Sequence, residues 1–122
     1  MRTYSFEKLE VWQKARKLTN VIYLTSKNFP DEEKFGLTSQ IRRAAVSVCS
    51  NIAEGTSRNS FKDKARFTEM SYTSLMEVLN QLIISSDLSF IAQEQYESLR
   101  TQIDEVSYMI NALHKSQLNS IK

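Results

Sequence analysis

Glycine and proline are almost missing from this chain: two and one, respectively, in 122 residues. That scarcity argues against a turn-rich all-β fold and in favour of long helices. A single cysteine, Cys49, excludes an internal disulfide framework and suits a reducing compartment. No apolar run approaches the roughly 20 residues of a membrane-spanning helix. Residues 1–8 lack the apolar centre of a signal peptide, so a soluble cytoplasmic protein with no membrane partner is expected. The one histidine, His114, has no second His, Cys or carboxylate cluster at metal-ligand spacing, and the Glu-x-x-His pair of di-iron bundles does not occur. Glycine-rich phosphate loops are missing too. Cys49 has no histidine near it in sequence and sits among small residues, as a buried small hydrophobe would. The expectation is a protein without catalytic residues, cofactor or metal.

What the chain does have is four amphipathic segments. Val11, Ala15, Leu18, Ile22 and Thr25 recur at four- and three-residue steps, with Leu9 and Trp12 broadening the stripe. Leu37, Ile41, Ala45, Val48 and Ile52 repeat that spacing. So do Thr68, Tyr72, Leu75, Leu79, Leu82 and Ser86, and finally Tyr96, Leu99, Ile103, Val106, Ile110 and Leu113. Helices are expected over roughly residues 6–28, 32–55, 60–87 and 92–117. Ser5 is the expected N-cap of the first, Ser60 or Asn59 of the third, and Ser89 or a neighbour of the fourth. Pro30 ends the first helix by disfavouring helical backbone at Phe29. Asp31, Glu32 and Glu33 then place negative charge where the next helix dipole favours it. Gly36 lies inside that helical region or just before its regular part, and Gly55 ends it as a residue that tolerates positive φ. The tail from Gln117 is expected to fray. With short connections, one all-α domain over residues 1–122 follows: an antiparallel up-down-up-down four-helix bundle.

A second stripe on the second segment is unlike the others. Gln40, Arg43, Ser47, Asn51 and Glu54 recur at helical steps, and every one forms hydrogen bonds. A bundle needs the apolar stripe but not this polar one. It reads as a polar network or subunit interface, within or between protomers, with direct RNA contact as the alternative. Charge is also uneven: residues 1–66 hold 13 Lys or Arg against 7 Asp or Glu, and residues 67–122 hold 3 against 7. A basic face attracts nucleic acid, and opposite faces attract another copy of the chain. Lys14, Arg16 and Lys17 on the first segment, Arg42 on the second, and Arg58, Lys62, Lys64 and Arg66 around the third are the candidate nucleic-acid contacts. A solvated face is the competing reading. No base-reading module accompanies them, so RNA recognition would rest on shape and backbone.

The run Gly36-Leu-Thr-Ser-Gln-Ile-Arg-Arg-Ala-Ala-Val-Ser47, then Ser50-Asn-Ile-Ala-Glu-Gly55, resembles the signature of a bacterial four-helix-bundle family. Its members are encoded by intervening sequences within large-subunit ribosomal RNA genes and are known as ribosomal or intervening-sequence proteins. Leu9-Glu-Val-Trp-Gln-Lys-Ala15, the pair Phe29-Pro30, and Tyr96 with the stripe after it fit the same family. Two positions depart: Cys49 stands where members commonly carry proline, and Thr73 where they often carry glycine. The resemblance implies a ring-shaped homo-oligomer, a pentamer, associated with ribosomal RNA. A similar bundle is the accessory protein of a reverse transcriptase in diversity-generating retroelements, which implies the alternative of a scaffold docking a partner enzyme.

Overall fold

The computed structural model describes residues 1–121, and the regular elements among them are all helical. Four long helices follow in order: α1 (Glu10–Ser26), α2 (Leu37–Thr56), α3 (Phe61–Asp87) and α4 (Gln93–Asn119). Short 3-10 turns at Ser5–Lys8 and Asp31–Glu33 precede α1 and α2. Each helix packs on the next, and α1 packs on α4, which closes the bundle.

Side-chain contacts fix the directions. Arg42 near the start of α2 bonds Ser26 at the end of α1, while Cys49 farther along α2 meets Thr19 farther back in α1. Across α2 and α3, Ser47 meets Ser74, Val48 meets Ser71, and Thr56 meets Lys64. Numbers rise on one helix as they fall on the other, so both pairs run antiparallel. Thr68 near the start of α3 bonds Gln117 near the end of α4, and residues 88–92 join the other ends of that pair. The resulting bundle is all-α and antiparallel.

The apolar stripes of α1 and α4 lie inward as their spacing demands. Val11, Ala15, Leu18 and Ile22 face Leu99, Ile103, Val106 and Ile110 in one continuous core with Ile41, Val48, Ile52, Leu75, Val78 and Leu82. Burying each large side chain contributes about 1.5–3 kcal/mol against the opposing chain entropy. Helix α3 differs from its expected stripe. Ser71, Ser74, Val78 and Ser85 are buried, whereas Tyr72, Leu79 and Ser86 are only partly so. Small hydroxyls win these positions because they let α3 approach α2 closely while their donors find acceptors, as Ser71 does at the Val48 carbonyl (2.8 Å).

Several ends differ from expectation, each for a local reason. The Glu7 carboxylate accepts the Tyr4 N–H (2.7 Å) and closes a separate turn, and Leu9 is extended, so α1 begins at Glu10 rather than after Ser5. Gly36 is the residue before α2, with Glu33 Oε1 accepting the Leu37 N–H (3.1 Å). Gly55 does not terminate α2 through positive φ; it lies inside the helix. Ser60 does cap α3, accepting the Asp63 N–H at 3.1 Å. Ser89 is no N-cap. Its φ of 61° makes it the left-handed residue that ends α3. There Phe90 N–H reaches the Ser85 carbonyl and Ser89 N–H the Ser86 carbonyl, the paired bonds of a Schellman ending. Gln117 is helical and buried rather than frayed, because Thr68 Oγ1 donates to its Oε1 at 2.7 Å.

Candidate nucleic-acid interface

The junction of α2 and α3 gathers four of the candidate cations. Arg58 and Arg66 both lie over the ring of Phe67, with their guanidinium carbons 4.4 and 4.8 Å from its centroid. Lys62 is exposed and, among the described residues, has neither a hydrogen bond nor an ion pair. Among the described residues, the one acid at this junction within ion-pair reach is Asp63, 3.9 Å from Arg66 Nε, with both side chains more than half exposed. A pair so long and so wet contributes little. Lys64 plays a different part: its ammonium donates to the Thr56 carbonyl at 2.9 Å and neutralises the negative end of the α2 dipole.

The other candidates are spread out, and the structure uses some of them internally. Lys14 pairs with Glu105 of α4 at 2.9 Å. The hydrogen bond to that carboxylate, with its charge, raises the Lys14 ammonium above the usual lysine range. Arg16 lies 5.3 Å from the Trp12 ring centroid, and Lys17 is exposed beside it. Arg42 is spent: Nε donates to Ser26 Oγ (2.8 Å), Nη2 donates to the Tyr23 carbonyl (3.1 Å), and the guanidinium covers the Tyr23 ring at 4.7 Å. Lys14, Lys64 and Arg42 therefore have structural duties that their spacing did not reveal.

The polar stripe of α2 is only partly a network. Asn51 Nδ2 donates to Ser47 Oγ (3.1 Å) and to the Ser47 carbonyl (3.0 Å), and Ser47 Oγ shares a 2.8 Å bond with Ser74. Gln40, Arg43 and Glu54 are exposed, and no hydrogen bond or ion pair joins them to that cluster. Within one protomer Arg43 is thus not the partner of Asn51 and Glu54. The stripe instead lines adjoining shallow grooves with Arg66, Glu69, Thr73 and Glu77 of α3 on one side and Tyr23 and Val46 on the other. Gln81 borders the same face, and its Oε1 is buried without a partner.

Cys49 is half-buried between α1 and α2, and burial pushes its thiol up, a shift that the Thr19 hydroxyl 3.4 Å away and Arg16 only partly offset. A thiol so shifted is mostly protonated near neutral pH. Among the described residues no group of three His, Cys, Asp or Glu can hold a metal, and no helix is long and apolar enough to cross a membrane.

Spacing alone did not reveal Phe67 or Gly55. Phe67 follows Arg66 off the expected stripe, yet it is only 6% exposed. A Cβ on Gly55 would stand 3.0 Å from Phe67 Cβ, so this glycine serves close helix contact.

Comparison with known proteins agrees with this architecture. The fold is similar to the crystal structure of a protein of unknown function from the S23 ribosomal protein family of Bacteroides thetaiotaomicron VPI-5482. The TM-score is 0.80 at 24% identity, over 86% of this chain and 98% of that one, a likeness that speaks to fold alone. A comparison with curated proteins finds no match. A family model described as 23S rRNA-intervening sequence protein matches residues 7–112. Four closed helices carrying the Gly36–Gly55 signature, and a family match over most of their length, lead to one conclusion: this chain belongs to the 23S rRNA-intervening sequence protein family.

Proposed function

We propose that this protein is a non-enzymatic, cytoplasmic homo-oligomer that binds ribosomal RNA through the basic junction of α2 and α3. The observation that carries this reading is the state of Arg58, Lys62 and Arg66. All three are exposed, among the described residues no hydrogen bond occupies their side chains, and Asp63 is the sole acid paired with any of them. Such cations neutralise phosphates and release counterions, which gives affinity that falls steeply with salt. The family description, 23S rRNA-intervening sequence protein, supports 23S rRNA as the partner class to test. The test is a gel shift with a 23S rRNA transcript across a salt series. Binding is expected at low salt and should decay as salt rises; no shift at low salt, or a salt-independent one, rejects the reading.

The exposed stripe of Arg43 and Glu54 favours self-association, because charges of both signs stand unpaired beside the exposed Val46 and Met70. A second copy supplies complementary partners, and the resemblance suggests a pentameric ring. Arg43→Ala should dissociate that assembly in light scattering, and a wild-type monomer at micromolar concentration rejects it. The same stripe supports the second reading, a scaffold docking a partner enzyme such as a reverse transcriptase. In that case the oligomer forms but binds the RNA transcript no better than an unrelated polyanion.

A further inference from the structure

We propose that Phe67 is the positioning residue of the RNA site: its ring holds Arg58 and Arg66 as one paired phosphate clamp. The inference rests on the RNA-binding reading above and adds how the site is organised. Phe67 is buried, yet it does not belong to the continuous apolar core that the other large buried side chains share. It fills a separate niche against the end of α2, where Gly55 leaves room and a Cβ would press to 3.0 Å. Over that ring stand two guanidiniums, one from the α2–α3 connection and one from α3 itself.

The ring attracts each guanidinium without occupying its N–H groups, and among the described residues neither the Arg58 nor the Arg66 guanidinium makes a hydrogen bond. The planar fork of N–H groups is the part that grips phosphate oxygens in pairs. The two guanidinium carbons can lie no farther apart than the sum of their distances to the shared centroid, about 9 Å. The clamp therefore addresses neighbouring phosphates of one strand rather than distant points on a fold. Bringing two like charges so close costs energy in the free protein, and the ring face offsets part of it. Lys64 assists indirectly, since its bond to the Thr56 carbonyl removes a negative pole from beside the clamp. An acidic protein segment is the competing partner, and the experiment distinguishes it.

The experiment measures fluorescence anisotropy of a labelled 23S rRNA transcript against the full chain and its variants, across salt. Phe67→Leu keeps an apolar filler and every charge but removes the ring. It should weaken binding about five- to tenfold, while Phe67→Tyr restores it. Arg58→Lys with Arg66→Lys is a surface pair that does not threaten folding; it keeps both charges, removes both planar forks, and should lose a similar factor. In either variant the slope of log affinity against log salt should stay near wild type, because the number of phosphates neutralised is unchanged. If Phe67→Leu and the double lysine variant bind like wild type while neutralising Arg58, Lys62 and Arg66 weakens binding, the positioning role is overturned and the RNA reading stands. If none of these variants changes RNA affinity, both fall. Tighter binding of an acidic peptide than of the transcript at equal salt also overturns both.

Discussion

At the start of α2, Arg42 lies 4.7 Å from the Tyr23 ring with its N–H groups bonded to Ser26 and the Tyr23 carbonyl. At the far end, Arg58 and Arg66 lie at similar distances over Phe67, and among the described residues no hydrogen bond occupies their guanidinium N–H groups. Both junctions place arginine over an aromatic ring, and one is closed while the other is open. The closed one ties the end of α1 to α2 and satisfies carbonyl and hydroxyl acceptors that a helix end leaves over. The open one has a phenylalanine in place of tyrosine, and the Thr56 carbonyl at the end of α2 is bonded by Lys64 rather than by either arginine. An arginine whose donors are met stabilises the fold, and one whose donors are unmet is available to a ligand. Placement over a ring alone does not separate the two.

Substitutions at the two ends should therefore break different things. Arg58→Gln, Lys62→Gln and Arg66→Gln together should reduce affinity for the 23S rRNA transcript about a hundredfold at moderate salt, with folding intact by circular dichroism. Arg42→Gln should leave RNA affinity within about twofold but destabilise the bundle by about 1.5–3 kcal/mol in urea titration, because two charge-assisted bonds are lost. Gly55→Ala lies next in size. At a free helical site that change stabilises by about 1 kcal/mol. Here the new methyl meets Phe67 Cβ, which is fixed to the α3 backbone, and a net loss of about 1 kcal/mol is expected. The smallest effect belongs to Cys49, whose thiol is held protonated by burial. A raised folded-state pKa gives stability that is complete below the ordinary thiol pKa and is lost as pH rises through the folded value. Wild type should therefore lose stability relative to Cys49→Ala as pH enters that alkaline range, with the two curves parallel near neutrality.

The same contrast shows what the chain disclosed by spacing. Helices α1 and α4 bury one stripe each, so counting apolar residues at four-three steps found Leu18, Ile22, Leu99, Ile103 and Ile110 correctly. Helix α3 contacts both α2 and α4. Its α2 side is made of Ser71 and Ser74, whose hydroxyls are satisfied by Val48 and Ser47, and a search for apolar residues passes over them. Ser89 eluded the reading for a related reason: serine is commoner as an N-cap, and only the φ of 61° shows that it ends a helix. Gly55 is expected to end α2 because glycine tolerates positive φ, yet its φ is not positive and it lies inside the helix. Its work is to admit Phe67.

At the candidate site the cations were legible and their employment was not. Arg42 finds acceptors 16 and 19 residues earlier, Lys64 finds one 8 residues earlier, and Lys14 finds Glu105 across the bundle. Such pairings depend on which helix ends meet, information that resides in the packed bundle rather than in any local run. Conversely, Arg43 and Glu54 suggested a polar network within or between protomers and are exposed in one protomer, where Ser47, Asn51 and Ser74 form the part that closes. One general signal survives. Arginine one to nine residues from a buried aromatic at a helix junction, with no hydrogen bond on its guanidinium, is worth examining as a ligand contact.

The most direct measurement is the salt slope of binding to a 23S rRNA transcript, compared among wild type, Arg42→Gln and the triple variant of Arg58, Lys62 and Arg66. Open cations at the α2–α3 junction predict an unchanged slope for Arg42→Gln and a slope shallower by about two to three for the triple variant. Three equal slopes, or a shallower slope for Arg42→Gln alone, would contradict it.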